Sequence, residues 1–168
     1  MLRFVLPEEK DREAVRAFYD EFEKSGGVCI GFGNRRDYDR WLEEMQNRHK
    51  GENLPEGYVR ENFYLCYDAE KLIGVFSLKF QLTEYLLHFG GHIGYAVRPS
   101  ERNRGYATRM LRQGLAIAGQ FGFDRVLCVC DEDNRASEKV ILNNGGILEN
   151  RLFDPEERVY VKRYWVRT

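Results

Sequence analysis

A chain of 168 residues is long enough to bury one substantial core and short for two, so a single domain over residues 1–168 is expected. Hydrophobic residues at 43%, aromatics at 14% and charged residues at 32% exclude a disordered chain, a collagen-like repeat and a coiled-coil rod. With 26 Lys and Arg against 27 Asp and Glu, the net charge of -1 is too balanced for the whole surface to attract nucleic acid, so phosphate recognition must be local.

In chain order, Leu2 to Leu6 reads as a short strand, and Pro7 with Glu8 and Glu9 marks a helix start. Ala14, Val15, Phe18, Tyr19 and Phe22 recur at helical spacing until Ser25-Gly26-Gly27. A second helix is expected over roughly Arg35 to His49, with Tyr38, Trp41, Leu42 and Met45 on one side, followed by a loop from Gly51 to Gly57. Most of these N-terminal aromatics read as core, with one or two of Phe18, Tyr19, Phe22, Tyr38 and Trp41 left to wall a pocket.

From Asn62 the alternation of Phe63, Leu65 and Tyr67, a turn at Asp68 to Lys71 and the run Leu72 to Phe80 predict a hairpin. Leu82 to Phe89 fits either a short helix or a strand edge, and His92 to Arg98 extends again until Pro99. Tyr106 to Phe121 is helical and ends at Gly122; Val126 to Cys130 suits a buried central strand. Asn134 caps a helix that Gly145-Gly146 stops, and Ile147 to Phe153 and Arg158 to Val166 close the chain as two strands. The order β, α, α, β, β, β, α, β, α, β, β predicts a mixed α/β fold, a mostly antiparallel sheet of about seven strands flanked by about four helices.

Four cysteines, Cys29, Cys66, Cys128 and Cys130, lack the spacing of a metal or redox pair, so no metal is expected and a reducing compartment is. The N-terminus is densely charged from Glu8, unlike a secretory signal, and no apolar run approaches the ~20 residues that span a bilayer. The expectation is a cytoplasmic protein with no membrane and no nucleic-acid partner.

The stretch VRPSERNRGYATRM, Val97 to Met110, leads from a strand through a Pro-marked loop into a helix. Unpaired amides and the dipole at that helix start favour a phosphate, and Gly105 and Ala107 let a ligand approach the main chain. Between Arg98 and Arg112 lie five arginines and one acid, Glu101, an excess that suits a pyrophosphate; the alternative is a solvated basic face. There is no Gly-Lys-Ser/Thr of a nucleotide P-loop and no GxGxxG after a strand.

Arg102 to Ala107 resembles the signature of the GNAT superfamily of N-acetyltransferases, which runs Arg or Gln, two residues, Gly, one residue, then Gly or Ala. The likeness extends to the order of elements, to Asn134 opening the next helix and to Gly145-Gly146 behind it; the segment GGHIGYAVRPSERNRGYA is most similar to a bacterial branch of predicted acetyltransferases.

The resemblance implies direct transfer from acetyl-CoA to a primary amine. The main chain of Arg102, Asn103, Arg104, Gly105, Tyr106 and Ala107 would hold the pyrophosphate. Tyr95, Ala96 and Val97 would pair with the pantetheine arm, Asn134 would bind that arm, and an amide near Val97 would face the thioester carbonyl. A lysine-type amine with a pKa of about 10.4 is mostly protonated at neutral pH, so a base is wanted. His92 is the first candidate and His88 the second; the alternative for His92 is a strand-end hydrogen bond.

Asp131, Glu132 and Asp133 could draw in a cationic acceptor or be ordinary loop acids. Where many members carry a tyrosine that protonates the departing thiolate, this chain has Ile141; Ser137 is a candidate acid, and the alternative is a weakly basic thiolate that leaves and takes its proton from water. Cys130 reads as a small buried residue rather than a covalent acyl carrier. The acceptor would be a small molecule or a peptide, a homodimer through the C-terminal strands is possible, and the runner-up function is an acyl-CoA-binding or regulatory module without turnover.

Overall fold

A computed structural model describes residues 1–27, 29–31 and 37–168. Seven strands form one sheet: β1 (Arg3–Val5), β2 (Glu61–Asp68), β3 (Lys71–Lys79), β4 (Ile93–Val97), β5 (Arg125–Asp131), β6 (Ile147–Asp154) and β7 (Val159–Arg167). Their spatial order is β1-β2-β3-β4-β5-β7-β6, and every pair is antiparallel except β4 with β5. Four α-helices flank it: α1 (Arg12–Lys24), α2 (Tyr38–Lys50), α3 (Tyr106–Gln120) and α4 (Arg135–Leu142). No helix among the described residues is long and apolar enough to cross a membrane.

Each helix buries one stripe. In α1, Val15, Phe18 and Phe22 recur at three- and four-residue spacing and are buried. The Asp37 side chain accepts the Arg40 amide at 3.2 Å, so α2 starts at Tyr38, and left-handed Gly51 ends it. The predicted start at Arg35 lies outside the described residues. These two helices cover the sheet face that carries Phe63, Leu65 and Val75. On the other face Met110, Leu111 and Ile141 from α3 and α4 pack with Phe76, Cys128 and Tyr164. There α3 comes so close that a Cβ on Gly114 would lie 2.0 Å from the Phe76 ring. Leu82 to Phe89 resolves as helical: a π-type turn over Leu86–Gly90, begun by Thr83, whose Oγ1 accepts the Leu86 amide.

The feature that positions the site is the junction of β4 and β5. Crossover connections make this pair parallel, and they meet only at Ile93 and Cys128, with the His92 amide donating to the Leu127 carbonyl at 2.8 Å. Beyond Ile93 the strands pair no further. The Arg98 amide donates to Ile73 on β3, so by strand alternation the amides of Tyr95 and Val97 point the other way, into the gap.

Candidate active site

The loop after β4 makes a one-turn 3-10 helix at Pro99–Glu101 before α3 begins. Asn103 at φ 61° and Gly105 at φ 75° both take the left-handed region, which turns the chain into the helix. The first bond of α3 is Arg109 N–H to the Gly105 carbonyl at 3.1 Å, so the amides of Tyr106, Ala107 and Thr108 precede any partner one turn back. No atom lies within 4 Å of a Cβ built on Gly105, so the space over this turn is open to a ligand.

A cavity of about 750 Å³ joins this helix start to the gap beside β4. Of the sequence-predicted donor residues it brings together Tyr95, Ala96, Val97, Arg102, Asn103, Gly105, Tyr106, Ala107 and Asn134, with Ser137 at the same wall. Arg104 does not line it: its guanidinium pairs with buried Glu101, which also binds Lys71, and these cations hold the Glu101 carboxyl below its usual range, Lys71 foremost. Arg98 is likewise committed, 3.6 Å from Glu21 and stacked over Phe18. The arginine excess is therefore smaller than its count. Arg102 over Phe22 and Arg109 over Tyr106 are without a carboxylate partner among the described residues.

On the far wall Asn134 caps α4, its Oδ1 accepting the Ser137 amide at 3.1 Å, which leaves its amide nitrogen as the group to offer a ligand. Ser137 Oγ is 2.8 Å from the Tyr95 hydroxyl, a hydrogen bond that spans from β4 to α4. Burial pushes the Tyr95 phenol up, so it stays protonated at neutral pH. The sequence points to Tyr95 only through its main chain; its hydroxyl partner Ser137 lies 42 positions away, and no local pattern pairs the two.

His92 is not brought to this cavity. It is buried at the closed end of the junction, where Nδ1 accepts the Leu127 amide at 2.9 Å and the ring packs edge-on to Phe123. Burial, then Lys79, pulls its pKa down to about 4. The neutral ring carries its hydrogen on Nε2, so neither nitrogen offers a lone pair to an amine. The strand-end alternative describes its surroundings. His88 is half-buried, its Nδ1 2.7 Å from the Glu84 carbonyl.

The acidic triplet is partly neutralised, Glu132 being paired with Arg151 at 2.5 and 2.6 Å. All four cysteines are free thiols and buried; burial drives Cys130 up to about 11 and Cys128 to about 12, which makes both poor nucleophiles. Phe18, Phe22, Tyr38 and Trp41 are core, and of these Phe22 also lines the cavity.

Residues 1–147 match the family model described as the acetyltransferase (GNAT) domain. The chain belongs to the GNAT acetyltransferase family. It is thereby an acyltransferase, and the solved structures it resembles carry the same fold. RimL, a ribosomal alpha-N-protein acetyltransferase in complex with coenzyme A, superposes with TM-score 0.75 at 19% identity, covering 99% of this chain and 93% of its own. MccE, a microcin self-immunity acetyltransferase in complex with acetyl-CoA and AMP, gives 0.73 at 17% identity, covering 99% and 92%. A chimera of spermidine N-acetyltransferase SpeG from Vibrio cholerae and hSSAT gives 0.66 at 18%, covering 99% and 94%. Comparison with curated proteins gives no sequence match.

Proposed function

We propose that this member of the family is an acetyl-CoA-dependent N-acetyltransferase that passes the acetyl group directly to a primary amine held in the same complex. One observation carries the reading: the unpaired β4 edge and the open amides of α3 line a single cavity. The amides of Tyr106, Ala107 and Thr108, with Gly105 clearing their approach, suit a pyrophosphate, and Arg102 adds positive charge beside them. The Tyr95 and Val97 amides suit an extended arm laid along β4 and a carbonyl oxygen that gains charge as the amine attacks. Bound there, acetyl-CoA supplies an activated acyl group.

Ser137, backed by Tyr95, is the assigned proton source for the departing thiolate. With His92 neutral and engaged at Nδ1, the acceptor reacts as the amine already unprotonated, and the proton its nitrogen sheds on forming the amide restores the hydroxyl pair that protonated the thiolate. Four free thiols support a reducing compartment.

The test is calorimetric titration of the chain with acetyl-CoA, followed by measurement of CoA released across a panel of primary amines. Micromolar binding with amine-dependent release is expected. Tight binding with no release from any amine would make the chain an acyl-CoA-binding module, and no binding would remove the reading.

A further inference from the structure

A second cavity, of about 270 Å³, lies on the α2 side of the sheet. The two cavities border successive residues of β4: Gly94 lines the small one, and Tyr95, Ala96 and Val97 line the large one. Its walls are mostly apolar, Ile30, Val59, Phe63 and Leu86 among them, and three charged side chains enter it, Arg48 from α2, Glu61 from β2 and Lys79 from β3.

The charges do not balance. Glu61, buried, is shared between Arg48 at 3.1 Å and Lys79 at 3.6 Å, and these two cations, Lys79 foremost, outweigh burial and hold its carboxyl below the usual range. Among the described residues no other acid lines the space, so one unit of positive charge is left over inside it. Lys79 holds its partners loosely, with Ser77 Oγ at 3.5 Å and Glu61 at 3.6 Å, both beyond a tight ammonium hydrogen bond. It can therefore turn a donor toward a ligand without abandoning Glu61. The Arg48 guanidinium is stacked over the Tyr58 ring at 4.6 Å, which fixes its plane.

We propose that this cavity receives the acceptor and selects amines that carry an oxyanion, a carboxylate or a phosphonate, held by Lys79 and Arg48. The inference rests on the acetyltransferase reading and deepens it by naming the substrate class. An uncompensated cation in a mostly apolar cavity attracts an anion more strongly than it would in water, and it repels a polyamine. The same charge favours the unprotonated form of an amine bound near Gly94, the form that reacts, and among the described residues no histidine lines either cavity. The volume limits the recognised part to a small molecule or the end of a chain.

The test uses alanine, phenylalanine and methionine, each as carboxylate, aminophosphonate and neutral carboxamide, with spermidine as the polycation. Binding to the CoA-saturated chain is measured by calorimetry, and CoA release is measured with acetyl-CoA present. In at least one series an oxyanion form should bind about tenfold or more above its carboxamide, and Lys79→Met should erase that margin. Carboxylate and phosphonate arms separate the two sources of the oxyanion. Arg48→Gln strips Glu61 of its nearer partner and risks the fold, so Lys79→Met carries the comparison.

Equal or better binding of the carboxamides or of spermidine overturns the inference. So does a margin that survives Lys79→Met, and so does a chain that holds CoA yet binds no member of the panel. In each of those cases the donor site stands. A chain that binds no CoA removes the donor site and this inference with it.

Discussion

Gly105 concentrates the donor site in one residue. Its φ of 75° is the left-handed region that aspartate tolerates better than most side chains, and a Cβ there touches nothing within 4 Å. A carboxylate at this end of α3 even complements the helix dipole. Gly105→Asp should therefore fold with stability within about 1 kcal/mol of wild type, while repulsion between carboxylate and phosphates lowers CoA affinity about a hundredfold or more. Unaltered affinity in the folded variant would move the pyrophosphate elsewhere. The hydroxyl pair of Tyr95 and Ser137 makes a separate prediction, because two groups 2.8 Å apart that deliver one proton act as a unit. Tyr95→Phe and Ser137→Ala should each lower kcat about tenfold to a hundredfold with acetyl-CoA affinity nearly constant, and the double variant should lose little more than the worse single one. Multiplying losses would show that the hydroxyls act independently.

At the scale of elements, the close approach of α3 to the sheet decides where the helix start points. Helix propensity alone predicts that Gly114→Ala gains about 1 kcal/mol. The new Cβ would lie 2.0 Å from Phe76 Cζ, and that ring is fully buried, so overpacking outweighs propensity and the variant should lose about 1–3 kcal/mol. Thermal unfolding checks the sign, and a higher Tm would mean that α3 slides without cost. The order of strands and helices was legible because core positions keep the 3.6 and 2 periods, as Val15, Phe18 and Phe22 do on α1 and Phe63 and Leu65 do on β2. The anion turn was legible because Gly105, Ala107 and the arginines are local. What joins distant elements was not: the Arg104–Glu101–Lys71 cluster, the Tyr95–Ser137 bond and the Arg48–Glu61–Lys79 group each depend on packing between separate segments. Leu82 to Phe89 stayed ambiguous because eight residues that are half apolar satisfy either period, and the Thr83 bond decided it.

Across the whole molecule, β1 to β4 and β5 to β7 are two halves of one sheet, joined where β4 meets β5 at Ile93 and Cys128 and where His92 and Leu127 exchange two hydrogen bonds. His92 accepts one of those bonds on Nδ1, so protonating the ring breaks it. Its pKa is about 4 in the fold against 6.5 in the open chain. Between these values the unfolded chain binds a proton that the native chain refuses, so stability falls as pH drops through 6.5 and levels off below about 4. The loss reaches about 2 kcal/mol by pH 5, or a Tm lower by about 4–8 °C in a chain of this size. Glu61, Glu101 and Glu138 have lowered pKa values, Glu138 at about 2, and their contributions are lost only below about 4.5, so the interval from pH 7 to 5 isolates the imidazole. His92→Asn keeps an acceptor near the Nδ1 position and cannot titrate. Its Tm should change little over that interval while the wild-type Tm falls. If both fall alike, the ring is not what holds the halves together, and an inflection near pH 6.5 in the wild-type rate that the variant lacks would instead return His92 to the chemistry.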